Sequence, residues 1–390
     1  MKEDWIECKF ADVLNIKNGK NQKLVENPEG IYPIYGSSGI IGWADEYLCE
    51  EETTIIGRKG TINTPIFVNT KFWNVDTAFG LTPYKILNSR LLFYFCKLFN
   101  FHALDKSTTI PSLAKSDLLQ IDFTLPPLSE QRAIVKKLES LFSSLDAGVA
   151  DLKKAQKQLK IYRQAVLKKA FEAELTKEWR EKNNVNNSWS TFSFKDIADV
   201  ISGKNQKEVE VADGKYPIYG SGGIIGRASK FICEEGTTIV GRKGTINSPI
   251  YVKEKFWNID TAFGLKSKSD VDDKLFYFWC LSYNFNQLDK STTIPSLAKR
   301  DIELIQINLT KNQLEQHQIV KQIESRLSVC DSIEQNIKES LEKAEALRQS
   351  ILKKAFEGNL LTAQELAECK LAKDYEPAGV LLEKMKMSKK

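Results

Sequence analysis

The sequence predicts an α+β protein with two similar α/β domains separated by a pair of long antiparallel coiled-coil helices, in a pseudo-two-fold internal repeat. Three observations support this: the chain repeats at a constant spacing, each repeat begins with short β-rich runs, and each ends in a long heptad-spaced stretch. We expect domains at residues 1–127 and 181–312, helices at 128–180 and 313–361, and a tail at 362–390.

The repeat is nearly complete through the domains. GKNQK occurs at 19–23 and 203–207, YPIYGS at 32–37 and 216–221, GRKGTIN at 57–63 and 241–247, and LDKSTTIPSLAK at 104–115 and 288–299. The members of each pair lie 184 positions apart. The offset becomes 185 in the helical stretch, where IVK at 134–136 matches 319–321. One inserted residue between domain and helix indicates a loop that joins separate units.

Within each domain, β-rich runs such as TTIIGRKG and TPIFVNTKFWNV alternate with Gly, Pro and Asn, which is typical of strands joined by turns. A helix is predicted at 89–99, with its copy near 274–283, and a final strand in LLQIDFTLPP. We interpret Phe72, Trp73 and Phe79 as core residues rather than as a platform for stacking bases.

The helical stretch from Ser129 to Thr176 has no proline and one glycine, Gly148. Its apolar residues recur at steps of three and four, which defines a heptad seam. The seam comprises Leu138, Leu141, Leu145, Val149, Leu152, Ala155, Leu159, Tyr162 and Val166, and in the second copy Ile323, Leu327, Cys330, Ile337, Leu341, Ala344 and Ile351. A helix this long needs a partner, and pairing with its own copy about a two-fold axis makes the two antiparallel.

Composition excludes several classes of protein. Hydrophobic residues make up 42% and charged residues 27% of the chain, so it can form cores. We find no apolar run long enough for a membrane helix, and MKEDWIECKF lacks the apolar segment of a signal peptide. The seven cysteines include no CxxC pair, which favours reduced thiols and a cytoplasmic location over disulfides or zinc. The net charge of +5 permits a polyanionic partner without requiring one.

Several segments resemble a known family. PPLSEQRAIVKKLE at 126–139 resembles the PPLxEQxxIV start of the conserved helices in specificity subunits of type I restriction-modification systems. YGSSGIIG, TTIIGRKGTIN and FWNVDTAFGL resemble blocks of their target recognition domains. The resemblance runs, in duplicate, from about residue 5 to about residue 361.

The resemblance implies a non-catalytic subunit that binds double-stranded DNA and partners two modification (methyltransferase) subunits and restriction (motor and nuclease) subunits. It implies that this chain binds no cofactor, whereas those partners use S-adenosylmethionine, and ATP with Mg²⁺ for restriction. Each domain would read one half of a bipartite target, with the helices as spacer and as docking surface for the modification subunits.

The two domains of this chain are nearly the same, unlike the asymmetric pattern common in the family. We therefore expect a near-palindromic target with an unread spacer. One loop limits this symmetry, because Ser38, Trp43, Asp45 and Glu46 become Gly222, Arg227, Ser229 and Lys230 in the second copy. If that loop faces the groove, one base can differ between the half-sites.

The repeated polar segments are the candidate DNA contacts. In GRKG, glycines allow close backbone approach to a phosphate, and arginine pairs with guanine O6/N7. GKNQK offers the Asn and Gln side chains that pair with adenine, and KSTTIPSLAK offers hydroxyls and lysines. The candidates are Lys20, Asn21, Gln22, Lys23, Ser37, Ser38, Arg58, Lys59, Lys106, Thr108, Thr109 and Lys115 in the first repeat, and Lys204, Asn205, Gln206, Lys207, Ser221, Arg227, Arg242, Lys243, Lys290, Thr292, Thr293 and Lys299 in the second.

Structural alternatives stand beside these interpretations. GRKG is also compatible with a solvated hairpin turn, GKNQK with a polar surface turn, and KSTTIPSLAK with an N-cap cluster for a short helix PSLAK. GSSGIIG at 36–42 fits neither the dinucleotide nor the P-loop fingerprint, and we interpret it as a glycine-rich turn.

No catalytic residue and no metal site is expected. The two histidines, His102 and His317, are not at equivalent positions, and the repeated Asp76/Asp260 and Asp105/Asp289 lack a nuclease pattern around them. The D/N-PP-Y/F motif of amino-methyltransferases is absent from the sequence. The competing hypotheses are an enzyme with duplicated active sites, a coiled-coil adaptor that binds proteins without sequence-specific DNA binding, and a DNA reader that serves methylation alone.

The helix starts are the candidate partner surface, with Gln131, Arg132 and Lys136 in the first copy and Gln316 and Lys321 in the second. The alternative is a solvated coiled-coil flank. Residues 362–390, which end in KMKMSKK, have no copy, and we interpret them as a short helix with a frayed basic tail.

Overall fold

The computed structural model describes residues 2–388, and both repeats fold into the same series of elements. The first repeat contains β1 (Ile6–Lys9), α1 (Phe10–Val13), β2 (Leu14–Asn18), β3 (Tyr32–Gly36), β4 (Gly39–Ala44), β5 (Thr53–Gly57), β6 (Ile66–Val68), β7 (Trp73–Asn74), β8 (Ala78–Pro83), α2 (Ser89–Leu98), α3 (Lys115–Leu119), β9 (Asp122–Leu125), α4 (Leu128–Phe171) and α5 (Lys177–Lys182).

The second repeat contains β10 (Trp189–Ser193), α6 (Phe194–Ile197), β11 (Ala198–Ser202), β12 (Tyr216–Gly220), β13 (Gly223–Ala228), β14 (Thr237–Gly241), β15 (Ile250–Val252), β16 (Trp257–Asn258), β17 (Ala262–Ser267), α7 (Asp273–Ser282), α8 (Lys299–Glu303), β18 (Gln306–Thr310) and α9 (Gln313–Phe356), and then α10 (Ala363–Lys370) and α11 (Ala378–Ser388). The predicted helix at 89–99 and the strand in LLQIDFTLPP are confirmed as α2 and β9.

Three small sheets build each domain. In the first, the strand orders are β2-β8-β5-β6, β4-β3-β7 and β1-β9, and the second domain repeats all three. All pairs are antiparallel except β3 with β7 and β12 with β16. Strand β5 is buried along its whole length, so its residues, TTIIG, are almost continuously apolar or β-branched. Phe72, Trp73 and Phe79 are buried, which confirms their interpretation as core residues.

The chain divides into two compact units, which differ from the sequence repeats. One holds the residues up to Asp151 together with those from Ser340 on, and the other is Leu152–Glu339. Each unit therefore contains one domain and part of both long helices. At about 1.5 Å per residue, the 44 residues of α4 or α9 extend roughly 66 Å.

The helix segments within each unit run antiparallel. In the first unit, Arg348 pairs with Asp146 and covers the Phe142 ring, so the end of α9 lies beside the start of α4. In the second unit, Arg163 Nη2 lies 2.7 Å from Asp331 and 3.0 Å from Glu334. Seam residues such as Leu138 and Cys330 are buried. Tyr162 is an exception: its side chain is 44% exposed, because it borders an open groove between the helices.

The expectation of a frayed basic tail at 362–390 is wrong for the residues that the structure describes. Helices α10 and α11 pack against the N-terminal residues of the first unit, where Ala378 N donates to Asp4 O at 3.1 Å and Tyr375 Oη donates to the Asp4 carboxylate at 2.6 Å. Cys369 and Leu382 are buried by this packing. The sequence did not reveal this, because the segment has no repeated copy with which to compare it.

Candidate nucleic-acid interface

Four separate polar segments meet on one face of each domain. The GKNQK segment is attached to strand β7: Lys20 N donates to Asn74 O at 2.9 Å, and the Trp73 indole donates to Lys20 O at 3.0 Å. The corresponding bonds in the second domain are Lys204 N to Asn258 O and the Trp257 indole to Lys204 O, both 3.0 Å.

GRKG and KSTTIPSLAK pair with each other. Gly60 N donates to Pro111 O and Leu113 N donates to Arg58 O, both at 2.9 Å, and Arg58 N donates to Thr77 O at 2.7 Å. In the second domain Gly244 N donates to Pro295 O at 2.9 Å and Leu297 N to Arg242 O at 2.8 Å. GRKG lies just after β5 in a loop that is longer than a tight hairpin tip and is held by this pairing.

The glycine-rich turn between β3 and β4 completes the face. A Cβ atom on Gly57 would lie 3.1 Å from Ser37 Cβ, which places the GSSG turn beside GRKG. Gly39 in this turn has φ +137, a conformation that favours glycine, and the interpretation as a turn is confirmed. We call this combination of segments, 19–23, 36–39, 57–60 and 106–112 with their copies 184 residues later, the loop face.

Asp105 organises the longest of these loops. Its Oδ1 accepts hydrogen bonds from Ser107 N at 3.0 Å, Ser107 Oγ at 2.6 Å and Ser112 N at 3.0 Å, and Asp289 makes the same three bonds. The alternative of an N-cap cluster is wrong, because α3 begins after Ala114 without any side-chain cap. The loop is therefore closed on itself, which leaves the hydroxyl residues Thr108 and Thr109 exposed.

We expect Asp105→Ala together with Asp289→Ala to loosen both loops and to weaken DNA binding, with little change in the melting temperature of the domains. Hydrogen bonds from the Ser107 hydroxyl and from the Ser112 and Ser107 amides hold the pKa of Asp105 below its usual value. The carboxylate is the form that accepts these bonds, so the loop is ordered above the ordinary Asp pKa and loosens as pH falls through the lowered value. Amide hydrogen exchange at residues 107–112 measures this, and unchanged protection in the double variant would contradict it.

The candidate cations differ in how free they are. Arg58 Nη1 donates to Asp76 O at 3.2 Å and its guanidinium lies over the Phe79 ring, whereas Lys59 is exposed. Lys106 pairs with Asp117 at 2.8 Å but remains 80% exposed. Lys115 Nζ donates to Ile16 O at 2.5 Å, and Lys299 Nζ donates to Val200 O at 2.8 Å. The last two lysines therefore brace α3 and α8 against neighbouring strands, and are poorer candidates for phosphate contact.

The amides of GKNQK are also partly committed. Asn21 Oδ1 accepts from Lys23 N at 2.9 Å and Asn205 Oδ1 accepts from Lys207 N at 2.9 Å, which leaves their NH₂ groups as donors on the surface. Gln22 and Gln206 are half-buried. Lys20, Lys23, Lys204 and Lys207 are exposed beside them.

The partner surface needs a correction. Gln131 and Gln316 are buried: Gln131 Nε2 donates to Ile86 O and Pro126 O, and its Oε1 accepts from Asn88 N. Gln316 makes the equivalent bonds, so both glutamines tie a long helix to its domain and neither reaches the surface. Arg132 binds Asp374 at 2.7 Å, whereas Lys136 and Lys321 are exposed on the helices.

The sequence interpretation missed the buried asparagines that position the loop face. Asn74 Nδ2 donates to Ala78 O at 3.1 Å, and its Oδ1 lies 3.1 Å from Cys49 Sγ; Asn258 repeats both contacts. Their main-chain carbonyls accept from Lys20 and Lys204, so they carry the GKNQK segment. The signal was the repeated KFWN, which was used only as a marker of the repeat.

Other types of site find little support within the described chain. Among residues 2–388, His, Cys, Asp and Glu side chains form no group of three or more that could hold a metal ion. No helix in that range has both the length and the apolar character needed to cross a bilayer. All seven cysteines are reduced and buried.

Comparison with known proteins connects this geometry to a family. The model of the type I restriction modification DNA specificity domain matches residues 2–158 and again 186–343. The chain is 26% identical to the Escherichia coli type I restriction enzyme EcoDI specificity subunit over 98% of its own length and 95% of that protein. It is also 26% identical to the EcoKI specificity subunit of Escherichia coli strain K12, over 99% of this chain and 89% of the relative.

Solved structures share the fold. A chain from a structure on complex assembly and conformational transition of the type I R-M system has a TM-score of 0.76 at 16% identity, covering 92% of this chain and 99% of its own. The HsdS subunit from Thermoanaerobacter tengcongensis has a TM-score of 0.57 at 17% identity, covering 92% and 98%. The two family matches and the duplicated fold do not support a simple coiled-coil adaptor. The chain belongs to the family of type I restriction-modification specificity subunits.

Proposed function

We propose that each domain reads one half of a bipartite DNA target through its loop face. The observation that carries this is the convergence of four polar, lysine- and arginine-bearing segments in each domain, at sites that are distant in sequence. The loop face combines exposed lysines, amide donors and hydroxyls, which are the groups that contact phosphates and base edges. The residues of the loop face are almost identical in the two domains, so the half-sites should be nearly the same.

In this proposal the chain contributes recognition but no chemistry. Two modification subunits would supply methyl transfer from S-adenosylmethionine, and restriction subunits would supply ATP- and Mg²⁺-dependent cleavage. The helices would act as spacer and docking surface, with Lys136 and Lys321 among the exposed contacts. The relative in the same family whose structure describes complex assembly supports partnership with such subunits. We place the complex in the cytoplasm, which suits seven reduced cysteines.

The methylation map of DNA from cells that express this chain with its modification subunits tests the proposal. We expect a near-palindromic motif divided by an unread spacer. An undivided motif would contradict it. Methylation without cleavage when no restriction subunit is present would leave recognition intact and identify a methylation-only system.

Residue roles are tested with binding to matched and mismatched duplexes. Lys59→Ala with Lys243→Ala should weaken all sequences alike and flatten the salt dependence by roughly 0.9 per lost phosphate contact. Asn21→Ala with Asn205→Ala should relax one position in each half-site by about 1–3 kcal/mol of discrimination. Lys157→Ala, on α4 rather than on a domain, is the control and should change neither.

A further inference from the structure

The two domains differ in charge on one surface beside the loop face. In the first domain this surface carries Leu24, Ile31, Trp43, Asp45 and Glu46. The residues at the equivalent positions of the second domain are Glu208, Lys215, Arg227, Ser229 and Lys230. These five positions change from a net charge of −2 to +2, whereas GKNQK, GRKG and KSTTIPS are identical.

The five positions form a continuous surface because residues 24–31 lie along the end of β4. Asn27 N donates to Trp43 O at 2.9 Å, Asp45 N donates to Val25 O at 3.1 Å, and Glu26 bridges to Ala44. In the second domain Val211 N donates to Arg227 O at 3.0 Å and Ser229 N to Val209 O at 2.9 Å. We call this surface the flank.

The flank continues directly from the DNA-facing loops. Leu24 and Glu208 follow Lys23 and Lys207 in the chain, so the flank begins where the GKNQK segment ends. In the first domain it exposes apolar side chains, with Leu24 99% and Ile31 74% exposed, beside the acidic Glu46. Such a surface offers nothing to a phosphate backbone, and its carboxylates repel one.

The second flank is built for an anion instead. Arg227 Nε donates to Gly214 O at 2.6 Å and Nη2 to Lys215 O at 3.1 Å, which fixes the guanidinium beside Lys215. Lys215 and Lys230 are exposed at the edge of this group. A fixed guanidinium with two neighbouring ammonium groups is the chemistry that positions a protein on DNA phosphates.

We propose that the second domain binds the DNA backbone outside its half-site through Lys215, Arg227 and Lys230, and that the first domain has no such contact. The chain is then polar on a symmetric target, because equal base reading is combined with unequal phosphate binding. This inference rests on the proposed function and assigns the substitution of Trp43 by Arg227 to backbone binding rather than to a change of base.

Exchange of flank residues tests the proposal, with the chain in complex with its modification subunits on a duplex carrying the mapped target. Lys215→Ile, Arg227→Trp and Lys230→Glu together put first-domain residues in the second domain, where the same fold accommodates them. We expect the slope of log affinity against log salt to fall in magnitude by roughly two to three. Ile31→Lys, Trp43→Arg and Glu46→Lys should steepen it by a similar amount.

Lys253→Asn is the matched control. It also removes a cation found only in the second domain, since Asn69 is its equivalent, but it lies near Tyr251 and Tyr277 rather than on the flank. Its slope should be that of the wild type. Lys215→Gln with Lys230→Gln provides a milder variant that keeps the Arg227 bonds, and should reduce the slope by roughly one to two.

Trimming the DNA gives an independent readout. Removing the duplex beyond both half-sites should erase the slope difference between wild type and the Lys215/Arg227/Lys230 variant. Specific binding with slopes unchanged by either exchange would overturn this inference and leave the proposed function standing. Absence of any sequence-specific binding by the wild-type complex would overturn both.

Discussion

Replacing Glu315 with alanine is expected to destabilise its unit by about 3–5 kcal/mol, the cost of leaving one member of a buried ion pair alone. Glu315 is fully buried at the start of α9, where it accepts hydrogen bonds from the Trp189 indole at 2.8 Å and Thr176 Oγ1 at 2.7 Å, and pairs with Arg180. The Arg180 guanidinium is itself only 11% exposed, so the variant leaves a poorly hydrated cation. Denaturant unfolding followed by tryptophan fluorescence measures the loss.

The first repeat offers a matched control. Glu130 is the equivalent residue and accepts from the Trp5 indole at 2.8 Å. Since the structure shows no arginine pairing with Glu130 among the described residues, Glu130→Ala should cost less, about 1–3 kcal/mol for unsatisfied buried groups. Arg180→Gln in the Glu315→Ala background should recover part of the loss. Equal destabilisation by the two glutamate variants would contradict the role of the ion pair.

The same carboxylate makes the second unit sensitive to acid. Burial raises the pKa of Glu315, but the hydrogen bonds from Trp189, Thr176 and Arg180 outweigh it and hold the pKa below its usual value. The folded state thus favours the ionised form. Its contribution to stability is present above the ordinary glutamate pKa and is lost as pH falls through the lowered value, and Glu315→Ala should lack this part of the pH dependence.

Gly19→Ala with Gly203→Ala is expected to reduce sequence-specific DNA binding at least tenfold. A Cβ on either glycine would lie 1.8 Å from a main-chain oxygen, that of Val75 or of Ile259, and backbone cannot move aside as a flexible side chain does. The GKNQK segment must therefore shift and lose its bond to Asn74 or Asn258. Each single variant should impair one half-site only, as measured on duplexes mismatched in the other half.

Gly148→Ala is the control for the glycine substitutions. It lies in the interior of α4, and a Cβ there would meet nothing within 4 Å. Because alanine favours the helix over glycine, this variant should gain about 0.5–1 kcal/mol and bind DNA as the wild type does. Retained binding by the Gly19/Gly203 double variant would show that the GKNQK segment is not part of the interface.

The loop face shows how far residue patterns reach. Repeated GKNQK, GRKG and KSTTIPSLAK identified the segments, but not their contact with one another, since hydrogen bonds such as Gly60 to Pro111 join residues far apart in the chain. Nor could the pattern separate Lys59, which is exposed, from Lys115, which bonds to Ile16. Both are lysines in polar segments, and only the surrounding backbone distinguishes them.

The partner surface and the C-terminal segment mark a second limit. A glutamine at a helix start is polar in sequence, yet Gln131 and Gln316 are buried, because main-chain groups of the adjoining domain satisfy their amides. Likewise, the basic appearance of residues 362–390 concealed the apolar residues Cys369 and Leu382, which are buried in the first unit.

The sequence by itself determined the duplicated α+β architecture, the long helices and the family, because a constant 184-residue spacing and a heptad pattern are properties of residue order alone. Tertiary structure decided which polar groups are free to meet DNA, which brace the domains, and where the two copies differ as surfaces. Burial and long-range hydrogen bonding depend on neighbours that are distant in sequence, and these neighbours are defined only once the chain has folded.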